Sequence, residues 1–383
     1  MKKLLSIFTA IAMVATTSSV VGCKTEIKEE KNLSKLIVET DLGVIHNETI
    51  SKEILKERIK WFNPNISDKV LSKIDLDIST FGAKVYLNYP EIQSEVEVKF
   101  IPVENEIDNG LDLNLGYVKN AVYNEKDPTI CEEIGYFLND KGRWAIEGFN
   151  KETKVVPDKL PWFITDLSQA FFQNKNKAIQ GIENWDTSKV IDMNWMFKQA
   201  HEFNQDISKW DVSNVRDMSG MFGNAWKFNI DISSWDTKNL VNMSQMFADA
   251  RLFNQNIGNW NTSNVTEMRS VFKEALVFNQ NINTKEIQKA DGSKYTAWDV
   301  SKVIDMADMF AETTDFNQPL DRWNTAKVTD MGYMFNQAKS FNQNISNWNV
   351  KKVRNWAGFS SNQQWSKDHQ PKFNIPPQRN EID

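Results

Sequence analysis

From about residue 164 onward the apolar positions fall into a repeating pattern. Trp185, Trp210, Trp235 and Trp260 lie 25 residues apart, and after an interruption Trp298, Trp323 and Trp348 resume the same spacing. The first unit reads Trp185, Val190, Met193, Met196, Phe197, Ala200, Phe203, Asn204 and Ile207. The second reads Trp210, Val215, Met218, Met221, Phe222, Ala225, Phe228, Asn229 and Ile232. Units starting at 235, 260, 298 and 323 keep the pattern with few changes, such as Leu240, Val271, Thr313 and Leu320. A fixed period of this length marks an array of small units, each unable to bury its apolar face alone.

Within a unit, Met193, Met196, Phe197 and Ala200 sit at i, i+3, i+4 and i+7, the stripe of an amphipathic helix. Ser188 is placed to cap its start and Asp192 to favour its dipole. Ile207, Trp210 and Val212 then read as a short strand. Stacked helix-plus-strand units predict an α/β solenoid. Packed helices lie about 8–10 Å apart and paired strands about 4.8 Å apart, so the stack should curve with a parallel sheet on its concave face.

The pattern W-D-x-S-x-V-x-x-M-x-x-M-F-x-x-A-x-x-F-N-x-x-I, carried from Trp185 to Ile207, resembles the BspA-like surface-protein repeat, a leucine-rich-repeat relative of mycoplasma-type lipoproteins. The lead-in residues Ile134-Gly135-Tyr136, Val156-Pro157-Asp158-Lys159-Leu160-Pro161 and Gly181-Ile182 share that resemblance, which covers residues 131–360. It implies a leucine-rich-repeat-like, lipid-anchored surface protein of the adhesin or antigen type. The family brings no catalytic residues.

The remaining segments frame this array. Residues 1–22 read as a signal peptide, with Lys2 and Lys3 ahead of the apolar run Leu4 to Val14. That run is too short to span a bilayer. Val20-Val21-Gly22-Cys23 resembles the lipobox of bacterial lipoproteins, which implies lipidation at Cys23 and a charged tether over 23–32. Residues 33–120 lack both the repeat and methionine and predict a small α+β domain. In it, Ser51 caps a helix ending at Asn63-Pro64, and strands follow near 85–87 and 96–100. Residues 121–163 form a lead-in, with a hairpin turning at Asp140-Lys141-Gly142. Residues 164–365 form the solenoid, and 366–383 a disordered tail. Within the array, residues 283–297 are an insertion, mostly polar and containing the turn pair Asp291-Gly292. Rooted at the predicted strand, it should project beside the concave face.

Composition narrows the function. The net charge of −6 argues against a nucleic-acid partner. The two cysteines, Cys23 and Cys131, and the histidines His46, His201 and His369 are too scattered for a zinc site. The acidic columns Asp186, Asp211, Asp236, Asp299 and Asp192, Asp217, Asp305, Asp330 break to Asn or Glu elsewhere and match no calcium loop. Neither a metal nor a cofactor is expected. No phosphate loop, nucleophile elbow or metalloprotease motif occurs, and Glu132 and Glu133 beside Cys131 disfavour its thiolate, so no enzymatic activity is expected. The tryptophans read as core rather than an exposed aromatic track for sugars. The column Asn204, Asn229, Asn254, Asn279, Asn317 and Asn342 should satisfy the backbone of adjacent units.

These readings converge on a protein held by lipid on the outer face of the cell membrane, binding a host or matrix macromolecule as an adhesin or surface antigen. The candidate binding residues flank the tryptophans, where the core pattern leaves polar positions open. They are Lys209, Asp211, Ser234, Asp236, Asn259, Asn261, Arg322, Asn324, Asn347 and Asn349. The alternatives are a non-binding antigenic coat, and an uptake-associated lipoprotein whose front domain holds a solute.

Overall fold

The computed structural model describes residues 33–373 apart from 39, 47–49, 64–65, 80–81, 88–93 and 104–117. The leader, Cys23, the tether and residues 374–383 lie outside the described residues. The chain divides into two compact units, Met1–Val103 and Glu104–Asp383.

The front unit comprises α1 (Leu33–Leu36), β1 (Asp41–His46), α2 (Lys52–Phe62), α3 (Asp68–Leu71), β2 (Ile74–Ser79), β3 (Gly82–Leu87) and β4 (Glu95–Val103). Its sheet has the order β1-β4-β3-β2, with β1 and β4 parallel and the other pairs antiparallel. Ser51 Oγ accepts the Ile54 N–H at 3.3 Å, filling one of the donors that a helix start leaves open. Leu55 and Ile59 on α2 are fully buried with Leu76, Val85, Val98 and Phe100 of the sheet. The unit closes at Val103 rather than at 120. Residues Val118–Lys119 (β5) instead pair with β8 (Tyr136–Leu138) of the second unit.

The second unit begins with β5, β6 (Val122–Tyr123), β7 (Cys131–Glu133), β8 and β9 (Trp144–Ile146). β8 and β9 form the hairpin that turns through Asn139 to Gly142, where the Gly142 N–H donates to the Asn139 carbonyl at 2.9 Å. From β9 the chain enters the repeats through isolated parallel bridges. These run Ala145 to Asp166 to Asp192, then Asp217, Asn242, Glu267, Asp305, Asp330 and Asn355. Successive units therefore stack in register, and the insertion is absorbed between Glu267 and Asp305.

The expected helix is absent: among the described residues 118–373 there is no α-helix. Residues 193–200 instead form successive tight turns. The Met196 N–H donates to the Met193 carbonyl, Lys198 to Trp195 and Ala200 to Phe197, at 3.3, 3.1 and 3.0 Å. Between them, the N–H groups of Met193, Trp195, Phe197 and Gln199 donate to the carbonyls of Asp217, Ser219, Met221 and Gly223 in the next unit. Trp195 and Gln199 have φ of 56° and 61°, as the third residue of a type II turn requires. The same pair of positive-φ residues recurs at Gly220 and Asn224, Gln245 and Asp249, Ser270 and Glu274, Asp308 and Glu312, and Tyr333 and Gln337. Turns recurring every four residues bury positions 193, 196, 197 and 200, the same stripe that a helix buries. Left-handed residues other than glycine cost of order 1–3 kcal/mol each, so the ladder to the next unit must hold them there.

The strand also lies elsewhere. The inter-unit bridge forms at Asp192 and its equivalents, not at Ile207 to Val212, where a turn at Ser208-Lys209 is flanked by irregular backbone. With turns in place of helices, the spacing mismatch that predicted curvature is absent, and no parallel sheet underlies the tryptophan-flanking residues.

The interior consists of aromatic ladders. Phe171, Phe197, Phe222, Phe247, Phe272, Phe310 and Phe335 stack in sequence with centroids 5.3–5.9 Å apart. Phe203, Phe228, Phe253, Phe278, Phe316 and Phe341 form a second ladder at 5.8–6.2 Å. Both methionine columns are fully buried beside them. The tryptophans of the repeating column, from Trp185 to Trp348, are core residues, and each of their indole N–H groups crosses to an earlier unit. Trp210 Nε1 donates to the Ile182 carbonyl at 3.0 Å, Trp298 to Ile257 at 2.8 Å and Trp323 to Ile282 at 3.0 Å. Asparagines satisfy backbone on the opposite corner. The Asn229 N–H donates to Asn204 Oδ1 at 2.9 Å, and the series continues through Asn254, Asn279, Asn317 and Asn342 at 3.0 Å.

Residues 366–373 are ordered rather than a disordered tail. Phe373 stacks on Trp356 with centroids 4.8 Å apart, and the His369 carbonyl accepts the Ile345 N–H at 2.9 Å. Trp365 meets Phe335 and Phe341 edge-on, at 65° and 84°, and so ends both phenylalanine ladders. The physical reason is the exposed end of the stack, whose rings and carbonyls need a cover.

Replacing Trp210 with Phe keeps an aromatic filler but leaves the Ile182 carbonyl without its donor. The variant should lose about 1–3 kcal/mol in chemical denaturation of the full chain. An unchanged midpoint would show that the indole acts only through its bulk.

Candidate binding cleft beneath the inserted hairpin

The insertion is a β-hairpin of β10 (Lys285–Gln288) and β11 (Lys294–Ala297), with Ile287 opposite Tyr295 and Gln288 opposite Lys294. Its tip closes as a tight turn: the Gly292 N–H donates to the Lys289 carbonyl at 3.0 Å, with Gly292 at φ 83°. Strand alternation separates its two faces. Glu286 and Lys294 pair at 2.7 Å on the exposed side, whereas Ile287, Lys289 and Tyr295 turn towards the earlier units. Tyr295 ties the hairpin down, its hydroxyl donating to the Asn259 carbonyl at 2.6 Å.

Beneath it lies a cleft of about 270 Å³, lined by Ser233 to Thr237, Asn259, Asn261, Ile287, Lys289 and Tyr295. Four of the ten predicted residues meet here: Ser234, Asp236, Asn259 and Asn261. Burial and the Asp236 carboxylate push the Tyr295 phenol up, so it stays a neutral donor. Lys289 Nζ sits 5.4 Å from the Tyr295 ring centroid, within cation–π range.

The other six are not gathered. Lys209 and Asp211 are exposed one unit earlier, and Arg322, Asn324, Asn347 and Asn349 lie on units after the hairpin. Several are also less free than the core pattern implied. The residue after each tryptophan makes a turn, its Oδ1 accepting the N–H two residues on. This holds for Asp211 to Ser213, Asp236 to Lys238, Asn261 to Ser263, Asn324 to Ala326 and Asn349 to Lys351, at 2.9–3.2 Å. Such turns are a habit of Asp and Asn side chains. Ser234 Oγ and Asn347 Nδ2 donate to carbonyls of the preceding unit, Ser208 and Asp321, at 3.2 and 2.6 Å. The D-x-S and N-x-S spacings in the sequence carried this signal. Ser233, Ile287, Lys289 and Tyr295 were missed because only the direction of the hairpin reveals them.

The acidic column at the bridges serves the fold as well. Asp192 Oδ1 accepts the Asn194 N–H at 3.1 Å, while its Oδ2 meets Arg143 at 3.0 Å and Lys141 at 3.4 Å. Burial, with Asp305 nearby, raises the Glu267 carboxyl above its usual range, and burial likewise raises Asp305. Among the described residues no group of three metal-ligating side chains is gathered. Cys131 is buried, its Sγ donating to the Glu133 carbonyl at 3.1 Å. Burial, then the neighbouring Glu147, Glu133 and Glu132, push its thiol up to about 12.

A family model described as Mycoplasma protein of unknown function, DUF285, matches residues 165–285 and 284–375, together more than half of the chain. The chain belongs to this family. The two DUF285 matches meet at the root of the hairpin, which falls within the second, while the bridge from Glu267 to Asp305 carries the stack past it. No curated protein and no solved structure matches the chain significantly. The family match fits the mycoplasma-type resemblance of the repeat, and its description assigns no function. Among the described residues no helix is long and apolar enough to cross a membrane.

Tyr295→Phe removes the tie between hairpin and stack. Amide hydrogen exchange in residues 285–297 should accelerate while the repeats keep their protection. Unchanged exchange in the hairpin would mean that the tie does not hold it.

Proposed function

We propose that this DUF285 protein is a BspA-like surface lipoprotein, anchored through Cys23 on the outer face of the cell membrane. Its repeats form a solenoid that binds a macromolecule, in the manner of an adhesin or surface antigen, without catalysing a reaction. The cleft under the hairpin carries this reading. There, polar side chains from two successive units and from the insertion converge on one opening, the arrangement expected of a recognition site. The signal-like leader ending at Val20-Val21-Gly22-Cys23 supports the anchor. Two or more acyl chains would hold such a protein firmly at a membrane.

Metabolic labelling with a radioactive fatty acid should mark the wild type and not Cys23→Ala; label retained in the variant would place the lipid elsewhere or remove it from the account. For binding, the full chain is used to capture host matrix and serum proteins, alongside Asn259→Ala with Lys289→Ala, and Lys209→Ala with Arg322→Ala. The cleft pair should lose the partner and the distant pair should keep most of it. Loss only in the distant pair would move the site to the exposed row. Capture of nothing by the wild type would favour the antigenic coat.

A further inference from the structure

We infer that the cleft under the hairpin recognises a saccharide, one sugar ring of a glycan. The inference rests on the reading of this cleft as the binding site, and adds the chemical class of what it binds. Sugar hydroxyls each donate and accept, so a sugar site must offer both kinds of group side by side, together with a ring face for the sugar's C–H surface.

The cleft has this composition. Asp236 supplies a carboxylate acceptor at its wall, and Lys289 an ammonium donor from the hairpin. Asn259, Asn261 and Ser233 complete the polar lining, and Tyr295 adds a ring beside them. Two of these groups are held in place before any ligand arrives. The Oδ1 atoms of Asp236 and Asn261 are fixed by the N–H groups of Lys238 and Ser263 at 3.2 and 3.1 Å. That leaves Asn261 Nδ2 without a protein acceptor among the described residues. Asp236 Oδ2 faces only Lys238 Nζ at 3.1 Å, and both side chains are well exposed, so that pair can open to a ligand hydroxyl at little cost.

Other ligand classes fit less well. Asp236 and Lys289 both stand in a lining that is otherwise mostly uncharged polar, so neither a hydrocarbon nor a phosphate is favoured. About 270 Å³ suits one sugar ring with ordered water, and the open side lets a longer chain continue.

The test is saturation-transfer NMR on the full chain with glucose, galactose, mannose, N-acetylglucosamine, N-acetylneuraminic acid and inorganic phosphate as probes. Two variants accompany it. Asn261→Asp keeps the turn, since Asp fills this position at 211, 236 and 299, but removes the Nδ2 donor. Asn349→Asp makes the same change outside the cleft. The expected result is saturable transfer to at least one sugar, weakened about tenfold in Asn261→Asp and unchanged in Asn349→Asp. Absence of saturable transfer to every sugar, binding of phosphate alone, or equal binding by Asn261→Asp would overturn the inference. Capture of a macromolecule that depends on Asn261 but survives enzymatic removal of glycans from the captured material would overturn the saccharide assignment while leaving the binding reading intact.

Discussion

Every structural feature of the repeats follows from one constraint: a buried backbone must find its hydrogen-bond partners in the neighbouring unit. A 25-residue unit is too short to close its own ladder, so alternate N–H groups of the 193–200 stretch reach the carbonyls of the next unit. The N–H groups between them close turns within the unit. Side chains complete the scheme where backbone cannot. Trp Nε1 reaches back to an Ile carbonyl, Asn Oδ1 receives the N–H of the next asparagine, and Thr187 Oγ1 donates forward to the Asp211 carbonyl at 3.0 Å. This explains why the sequence keeps Trp and Asn at fixed positions, whereas the Thr position alternates with Val212, Val300 and Val350. A single donor on a hydroxyl can be spared where its carbonyl finds water or another group. Loss of an indole would remove both a donor and a large part of the core.

The sequence reveals the period, the buried tryptophans and methionines, the asparagine ladder and the site of the insertion. Each of these depends only on which positions recur. It does not reveal the conformation of the unit, because spacings of three and four residues fit both a helix of 3.6 residues per turn and a string of four-residue turns. The residues at positive φ gave a mixed signal: Asn224, Asp249, Asp308, Gly220 and Gly358 are types that favour that region, but Trp195, Gln245 and Tyr333 at equivalent positions are not. At both glycines a Cβ would press on an aromatic ring of the preceding unit, Trp195 or Tyr333, within 2.6 Å and 2.4 Å. Those two glycines therefore answer to a close approach as well as to a turn.

The candidate site was half legible for a related reason. Positions beside the tryptophans are polar and outward, as the pattern implied, yet most have work in the fold as turn acceptors or as links to the preceding unit. What distinguishes Asp236, Asn259 and Asn261 from Asp211, Asn324 and Asn349 is the hairpin above them. That difference arises from a tertiary contact, Tyr295 to Asn259, which no spacing in the chain encodes. The insertion thus distinguishes one place on a repetitive surface, and the proposed recognition function depends on that break in symmetry.

The turn ladder is the element on which all of this stands, and backbone NMR shifts of the isotope-labelled full chain test it most directly. The account predicts positive φ at Gln245 and Asp249, with no continuous helical run through Met243 to Ala250. A run of helical shifts across those residues would contradict it, and with it the register that places the cleft.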